Sequence, residues 1–182
     1  MKYIFALIAI FALSLTMNAQ DKYITKTGYV WFFSTTPVED IQAHNKQVAS
    51  VIDVKKGNIA FDILIKSFKF EKALMEEHFN ENYMESDKFP KSTFAGKISN
   101  FDVKNFKKNG LYNVQVEGKL TIHGVTKDVK HPGTIEIKDG KIYAKSKFPV
   151  SPEEYGIKIP AMAKEKIAKV LDVNVDMVYS PK

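Results

Sequence analysis

The chain has no cysteine. Disulfides and thiol chemistry are therefore excluded, and so is a lipid anchor on a cleavage-site cysteine. The fold must hold by core packing alone. No Gly-x-Ser-x-Gly elbow, Walker loop or Rossmann glycine pattern occurs, so no hydrolase or nucleotide-enzyme signature is present. The four histidines, His44, His78, His123 and His131, fall in no His-x-His or His-x-x-x-His pair. They read as unrelated surface or loop imidazoles, and no metal site is assigned. Glu76-Glu77 and Glu153-Glu154 are adjacent in sequence, so their side chains diverge and form no acid–base pair. No catalytic residue is assigned, and the chain is read as a non-enzyme that needs no cofactor.

No basic block interleaves with aromatics, which argues against nucleic acid as a partner. The net charge of +6, or +5 without Lys2, is spread along the chain and reads as a solvated lysine-rich exterior. Such mild basicity also suits transient contact with an anionic membrane surface. Long apolar runs are scarce. Tyr3 to Leu15 is the clearest one, behind Lys2, and it is too short to span a bilayer. With Met17-Asn18-Ala19 it predicts a signal peptide over 1–19, cleaved near Ala19, and a periplasmic or secreted mature chain. A retained anchor is the alternative. No Pro/Gly/Ser linker or internal repeat divides the rest, so residues 20–182 read as one domain.

What the sequence has in quantity is alternation. Hydrophobic residues make up 45% of the 182 positions, with 13 Phe, 8 Tyr and 1 Trp, which suits a β-rich core. Tyr23, Thr25, Thr27, Tyr29, Trp31 and Phe33 share one face of a first strand. Val48, Ser50, Ile52 and Val54 share a face of the next, and the turn Lys55-Lys56-Gly57-Asn58 leads into Ile59, Phe61, Ile63 and Ile65. The period then lengthens, and residues 71–80 read as a short helix closed by Phe79. Pro90 turns the chain back to strand. Phe94 and Ile98 lead to a turn expected at Asn109-Gly110, followed by Tyr112, Val114, Val116, Gly118, Leu120 and Ile122. His123-Gly124 and Asp139-Gly140 are further turns. Phe148 lies on a later strand, residues 161–168 suit a helical turn, and Leu171, Val173, Val175, Met177 and Tyr179 alternate to the end.

This is an all-β pattern of about eight strands with one helical insertion. A long antiparallel meander removes its exposed edges by closing into a barrel. An eight-stranded barrel can be filled by side chains or can hold one small ligand. Both readings stay open on the pattern alone.

Two motifs carry a family resemblance. His78-Phe79 through Phe89-Pro90-Lys91-Ser92-Thr93-Phe94 is similar to one signature of the YceI-like family. Gly118-Lys119-Leu120-Thr121-Ile122-His123-Gly124-Val125-Thr126-Lys127 resembles a second, and Glu154-Tyr155-Gly156-Ile157 resembles a late aromatic-Gly-Ile step. The chain departs from the family pattern at Phe79, where Leu is common, at Glu76, where Asp is common, and across Ser151–Gly156, which lacks the late arginine.

The resemblance implies an exported, lipocalin-like eight-stranded antiparallel β-barrel that holds an isoprenoid or fatty lipid. An apolar lining is then expected from Phe61, Ile63, Ile65, Phe94, Ile98, Tyr112, Val114, Val116, Leu120, Ile122, Phe148, Val173 and Val175. His78 and Tyr155 are expected at the mouth, near a head group. The expected partner is an amphiphilic lipid, and a dimer is left open. The alternative is a filled-core barrel acting as a structural or stress-related interaction module.

Overall fold

Alternating apolar side chains, punctuated by tight turns, give nine strands. A computed structural model describes residues 21–182, and the expected signal peptide lies outside the described residues. The strands are β1 (Lys22–Thr35), β2 (Asp40–Asp53), β3 (Asn58–Leu64), β4 (Lys69–Phe70), β5 (Lys91–Ser99), β6 (Gly110–Ile122), β7 (Val125–Lys138), β8 (Lys141–Val150) and β9 (Leu171–Pro181). They run in the order β1-β9-β8-β7-β6-β5-β3-β2, and β1 pairs again with β2. The expected eight-stranded antiparallel barrel is thus closed, with the two-residue β4 added beside β2. Closure leaves no long open edge to recruit another chain.

The helical insertion comprises α1 (Ala73–His78) and a wider helical turn over Phe79–Tyr83. It begins two residues later than the sequence period suggests and runs further. The expected helical turn near 161–168 is a short 3-10 turn at Ala161–Ala163.

Two details of the strands differ from the sequence reading. On β1, Tyr23 and Thr25 do not share a face with Tyr29, Trp31 and Phe33. Thr25 pairs with Ser50 and Gly28 with Val48, so β1 carries one extra residue; β2 then carries the extra one before Val30 pairs with Asn45. These opposed bulges reverse the side-chain parity of both strands. Val30 and Ser34 are consequently buried, while Tyr29 stacks on Trp31 outside the wall at 4.3 Å. Second, Asn109-Gly110 is not a tight hairpin turn. Residues 100–109 form a longer connection with a 3-10 turn at Val103–Lys107 that brings Phe106 into the core. Burying an aromatic ring there contributes about 1.5–3 kcal/mol, more than a two-residue turn would gain.

The His123-Gly124 and Asp139-Gly140 turns form as expected, all four residues having positive φ. Such turns match the right-handed twist of the flanking strands. Inside the wall, Gly96 and Gly118 face each other across β5 and β6. A side-chain carbon on Gly118 would stand 2.4 Å from both the Ala95 carbonyl oxygen and the Gly96 Cα. The two strands therefore approach here more closely than any larger residue allows.

Candidate functional site

The two ends of the barrel are built differently. One end is packed. It carries the β2–β3 turn, the 100–109 connection and the β7–β8 turn, and its core includes Ile52, Ile59, Ile98, Val114, Ile137, Ile142 and Met177, all nearly inaccessible. Phe101 packs on Phe106 at 4.7 Å and on Tyr112 at 5.4 Å to complete it. The deeply buried Tyr179 hydroxyl donates to Ser50 Oγ at 2.7 Å, and Ser50 in turn donates to the Ala60 carbonyl. Burial pushes the Tyr179 phenol far above the usual tyrosine range.

The other end carries both long connections, residues 65–90 and 151–170. A second apolar cluster covers it, formed by Ile65, Met84, Leu120, Val150, Tyr155 and Ile157. Phe79 projects from the helical insertion into a group of rings with Phe32, Phe68 and Phe70, lying 4.9 Å from Phe70. His123 fastens this end together. Its Nε2 donates to Glu85 Oε2 at 2.8 Å, and its ring meets Phe89 at 4.5 Å. Its Nδ1 lies 3.4 Å from the Tyr155 carbonyl oxygen. The insertion, the β6–β7 turn and the late connection therefore converge on one imidazole.

Between the two clusters lies a belt of inward side chains that are only partly buried: Phe61, Phe94, Val116, Val129, His131, Phe148, Val173 and Val175. Phe79, Phe94 and Val173 touch both clusters and bridge the belt. Large inward rings do not pair across it. Tyr112 packs on Phe101, Phe61 on Phe94 at 6.0 Å, and Phe148 on His131 at 4.4 Å. Each of these aromatics leans on a neighbour along the wall.

The side chains expected to line the barrel all belong to these clusters or pack against them. Ile98 and Val114 fall in the packed end. Ile65, Leu120 and Ile122 lie toward the insertion end. Phe61, Ile63, Phe94, Tyr112, Val116, Phe148, Val173 and Val175 are partly buried. Ile65 sits just beyond β3, in a 3-10 turn, yet is 1% exposed. The two residues expected at the mouth are not alike. His78 is exposed on α1 and its Nδ1 lies 2.9 Å from the Asn82 amide nitrogen. Tyr155 is 3% exposed inside the cluster, with Lys127 Nζ 5.7 Å from its ring centroid, and burial raises its phenol pKa. A charge-assisted contact missed by sequence reading joins Lys127 to Glu154 at 3.0 Å. Its residues lie 27 apart, so no local spacing signals it.

Two observations bear on chemistry. Among the described residues no three of His, Asp and Glu come together as a metal site. Among the described residues no helix is long and apolar enough to cross a membrane.

The YceI-like domain family matches residues 22–179. The chain belongs to that family. Its barrel is similar to a polyisoprenoid-binding domain from Saccharophagus degradans, with a TM-score of 0.77 and 12% identity over 89% of this chain and 99% of that one. It is also similar to BcnA of Burkholderia cenocepacia, with a TM-score of 0.69 and 16% identity over 83% of this chain and 95% of that one. A Campylobacter jejuni YceI protein aligns with a TM-score of 0.59 and 19% identity over 75% of this chain and 82% of that one. At these identities the likeness shows the fold. No curated protein matches the chain. Family membership explains why the two sequence motifs meet in space. A side-chain carbon on Gly124, in the second motif, would stand 2.6 Å from the Phe89 ring of the first.

Proposed function

We propose that this YceI-like barrel is an exported binding protein, not an enzyme, that sequesters or carries a polyisoprenoid-like or fatty amphiphile. The observation that carries the reading is the belt of partly buried, inward apolar side chains between two apolar clusters. An apolar chain laid along Phe61, Val116, Phe148 and Val173 leaves water at about 25 cal/mol per Å² of buried apolar surface, or about 0.8 kcal/mol per methylene. Lipid binding by a structural relative of the same architecture supports it. The ligand would enter at the insertion end, where the 73–90 segment acts as a lid seated by Phe79 and by the His123–Glu85 contact.

One lip of that end suits transient membrane contact. Met162 is 89% exposed and Val170 54%. Lys158, Lys164, Lys166 and Lys169 lie near them in sequence, with Glu165 the one acid between Lys164 and Lys169, and among the described residues none of the four pairs with a carboxylate. Lys164 and Lys169 also border a 180 Å³ hollow that Glu153, Ile159 and Ile167 line with them. Apolar tips amid cations match an anionic bilayer surface.

Native mass spectrometry on protein purified without detergent tests the proposal. A co-purifying lipid that is released by organic extraction is the expected result. A homogeneous apo mass, with no uptake of hydrophobic probes, would falsify carriage and favour the filled-core interaction module.

A further inference from the structure

Inward polar groups in an apolar barrel cost free energy unless something satisfies them. Several on this inner wall are satisfied by the protein. The Asn45 side-chain amide donates to the Leu64 carbonyl at 2.9 Å, and its oxygen accepts from the Gln47 backbone N–H. Ser146 donates to the Pro132 carbonyl at 2.7 Å. His131 differs. It lies opposite Val116 on β7, stacked on Phe148 with the ring planes 13° apart; among the described residues neither ring nitrogen has a hydrogen-bond partner, and neither is fully buried, so both stay open to a partner from outside the wall.

Its depth matters as much as its chemistry. Toward the packed end, Ile135 is 2% exposed and Val114 3%. His131 therefore stands near the inner end of the belt, one register step above Val175 and Ser146. Toward the insertion end, Lys127 is four residues away on the same strand face, roughly 13 Å at strand rise, and is already paired with Glu154. Among the described residues no lysine pairs with the imidazole. Burial holds the His131 pKa below the ordinary histidine range, so the ring is neutral and offers one donor and one acceptor.

We infer that His131 is the polar floor of the lumen and receives the uncharged oxygen, hydroxyl or carbonyl, of an amphiphile bound head first. This rests on the lipid-binding reading above and adds the head-group class and the orientation. A phosphate at this depth would be buried without a counter-charge, which is strongly unfavourable. The tail would run back along Phe148, Val129 and Val173 toward the lid.

The test is calorimetric titration of the full protein with three C20 probes: geranylgeraniol, the matching oxygen-free alkene, and geranylgeranyl diphosphate. Wild type is expected to favour the alcohol over the alkene by about five- to tenfold, the ratio of one hydrogen bond. His131→Leu should erase that preference, the alcohol-to-alkene affinity ratio falling to about one, and His131→Gln should keep most of it. If His131→Leu does not fold, the ring ¹⁵N shifts of His131 in wild type decide: they should move with the alcohol and stay with the alkene. Equal binding of alcohol and alkene, an unchanged preference in His131→Leu, or tightest binding of the diphosphate would overturn the inference and leave lipid carriage standing. Failure of all three probes to bind would overturn both.

Discussion

The ring of Phe89 occupies the space where a side chain on Gly124 would stand, with its Cε1 2.6 Å from that position. The contact joins the end of the helical insertion to the β6–β7 turn. His123, next in the chain, adds its hydrogen bond to Glu85 and its edge contact with Phe89. The helical insertion and a barrel rim are thus fixed by three side chains and one missing side chain.

Gly124→Ala and Gly140→Ala separate space from backbone strain. Both glycines have φ above +70°, but nothing lies within 4 Å of a Cβ on Gly140. Gly140→Ala should therefore cost about 1 kcal/mol from conformation alone. Gly124→Ala must also displace Phe89, and should cost about 2–4 kcal/mol in urea denaturation. Equal losses would mean the ring moves aside freely.

High pH should unfold the protein through Tyr179. Its phenol pKa is raised in the folded state, so the stabilisation is present below the unfolded value near 10 and is lost as pH rises beyond it. Each pH unit above 10 should remove about 1.4 kcal/mol while the folded phenol stays protonated. Tyr179→Phe should lose about 1 kcal/mol at pH 7 with the Ser50 hydrogen bond, and should show a shallower loss above pH 10. A pH profile of the urea midpoint for both proteins reads this directly.

Filling the belt should expel the ligand without undoing the barrel. Val116→Trp places a ring among partly buried inward side chains, and overpacking there should cost about 1–3 kcal/mol. Uptake of a hydrophobic fluorescent probe should fall at least tenfold. Val178→Trp, on an outward position that is 43% exposed, should leave uptake unchanged.

Reversing charge on the exposed lip should release the protein from anionic vesicles. Each lysine near such a surface contributes about 1 kcal/mol, so combined Lys164→Glu, Lys166→Glu and Lys169→Glu should weaken sedimentation with phosphatidylglycerol vesicles by well over tenfold. The equivalent change at Lys104, Lys107 and Lys108, beside the packed end, should have a smaller effect. The reverse ranking would mean that the barrel docks by its base.

The strands were legible because their period is local. Along β6, Tyr112 to Ile122 alternate so regularly that one face must be apolar. The positive-φ turns His123-Gly124 and Asp139-Gly140 were legible for the same reason, since two residues specify them. The short helix was legible to within a few residues. The bulges of β1 and β2 were not, because each is set by its partner strand: Tyr29, Trp31 and Phe33 alternate as well as any core stripe, yet face outward. The 100–109 connection was misread as a tight turn because Asn-Gly outweighs its neighbours locally, while burial of Phe106 decides globally.

Of the candidate site, the residues expected as apolar lining fall in the two apolar clusters or pack against them, whereas the contacts of His131 and Tyr155 could not be read from the sequence. Their surroundings come from strands and turns distant in sequence: Phe148 against His131, and Lys127 and His123 against Tyr155. The sequence by itself determined that this chain is an all-β YceI-like domain, because alternation, turn chemistry and two motifs are properties of neighbouring residues. Only the tertiary structure decided which face of each strand looks inward and which end is packed. Burial and hydrogen-bond satisfaction depend on closure of the barrel, which brings side chains far apart in the chain into contact.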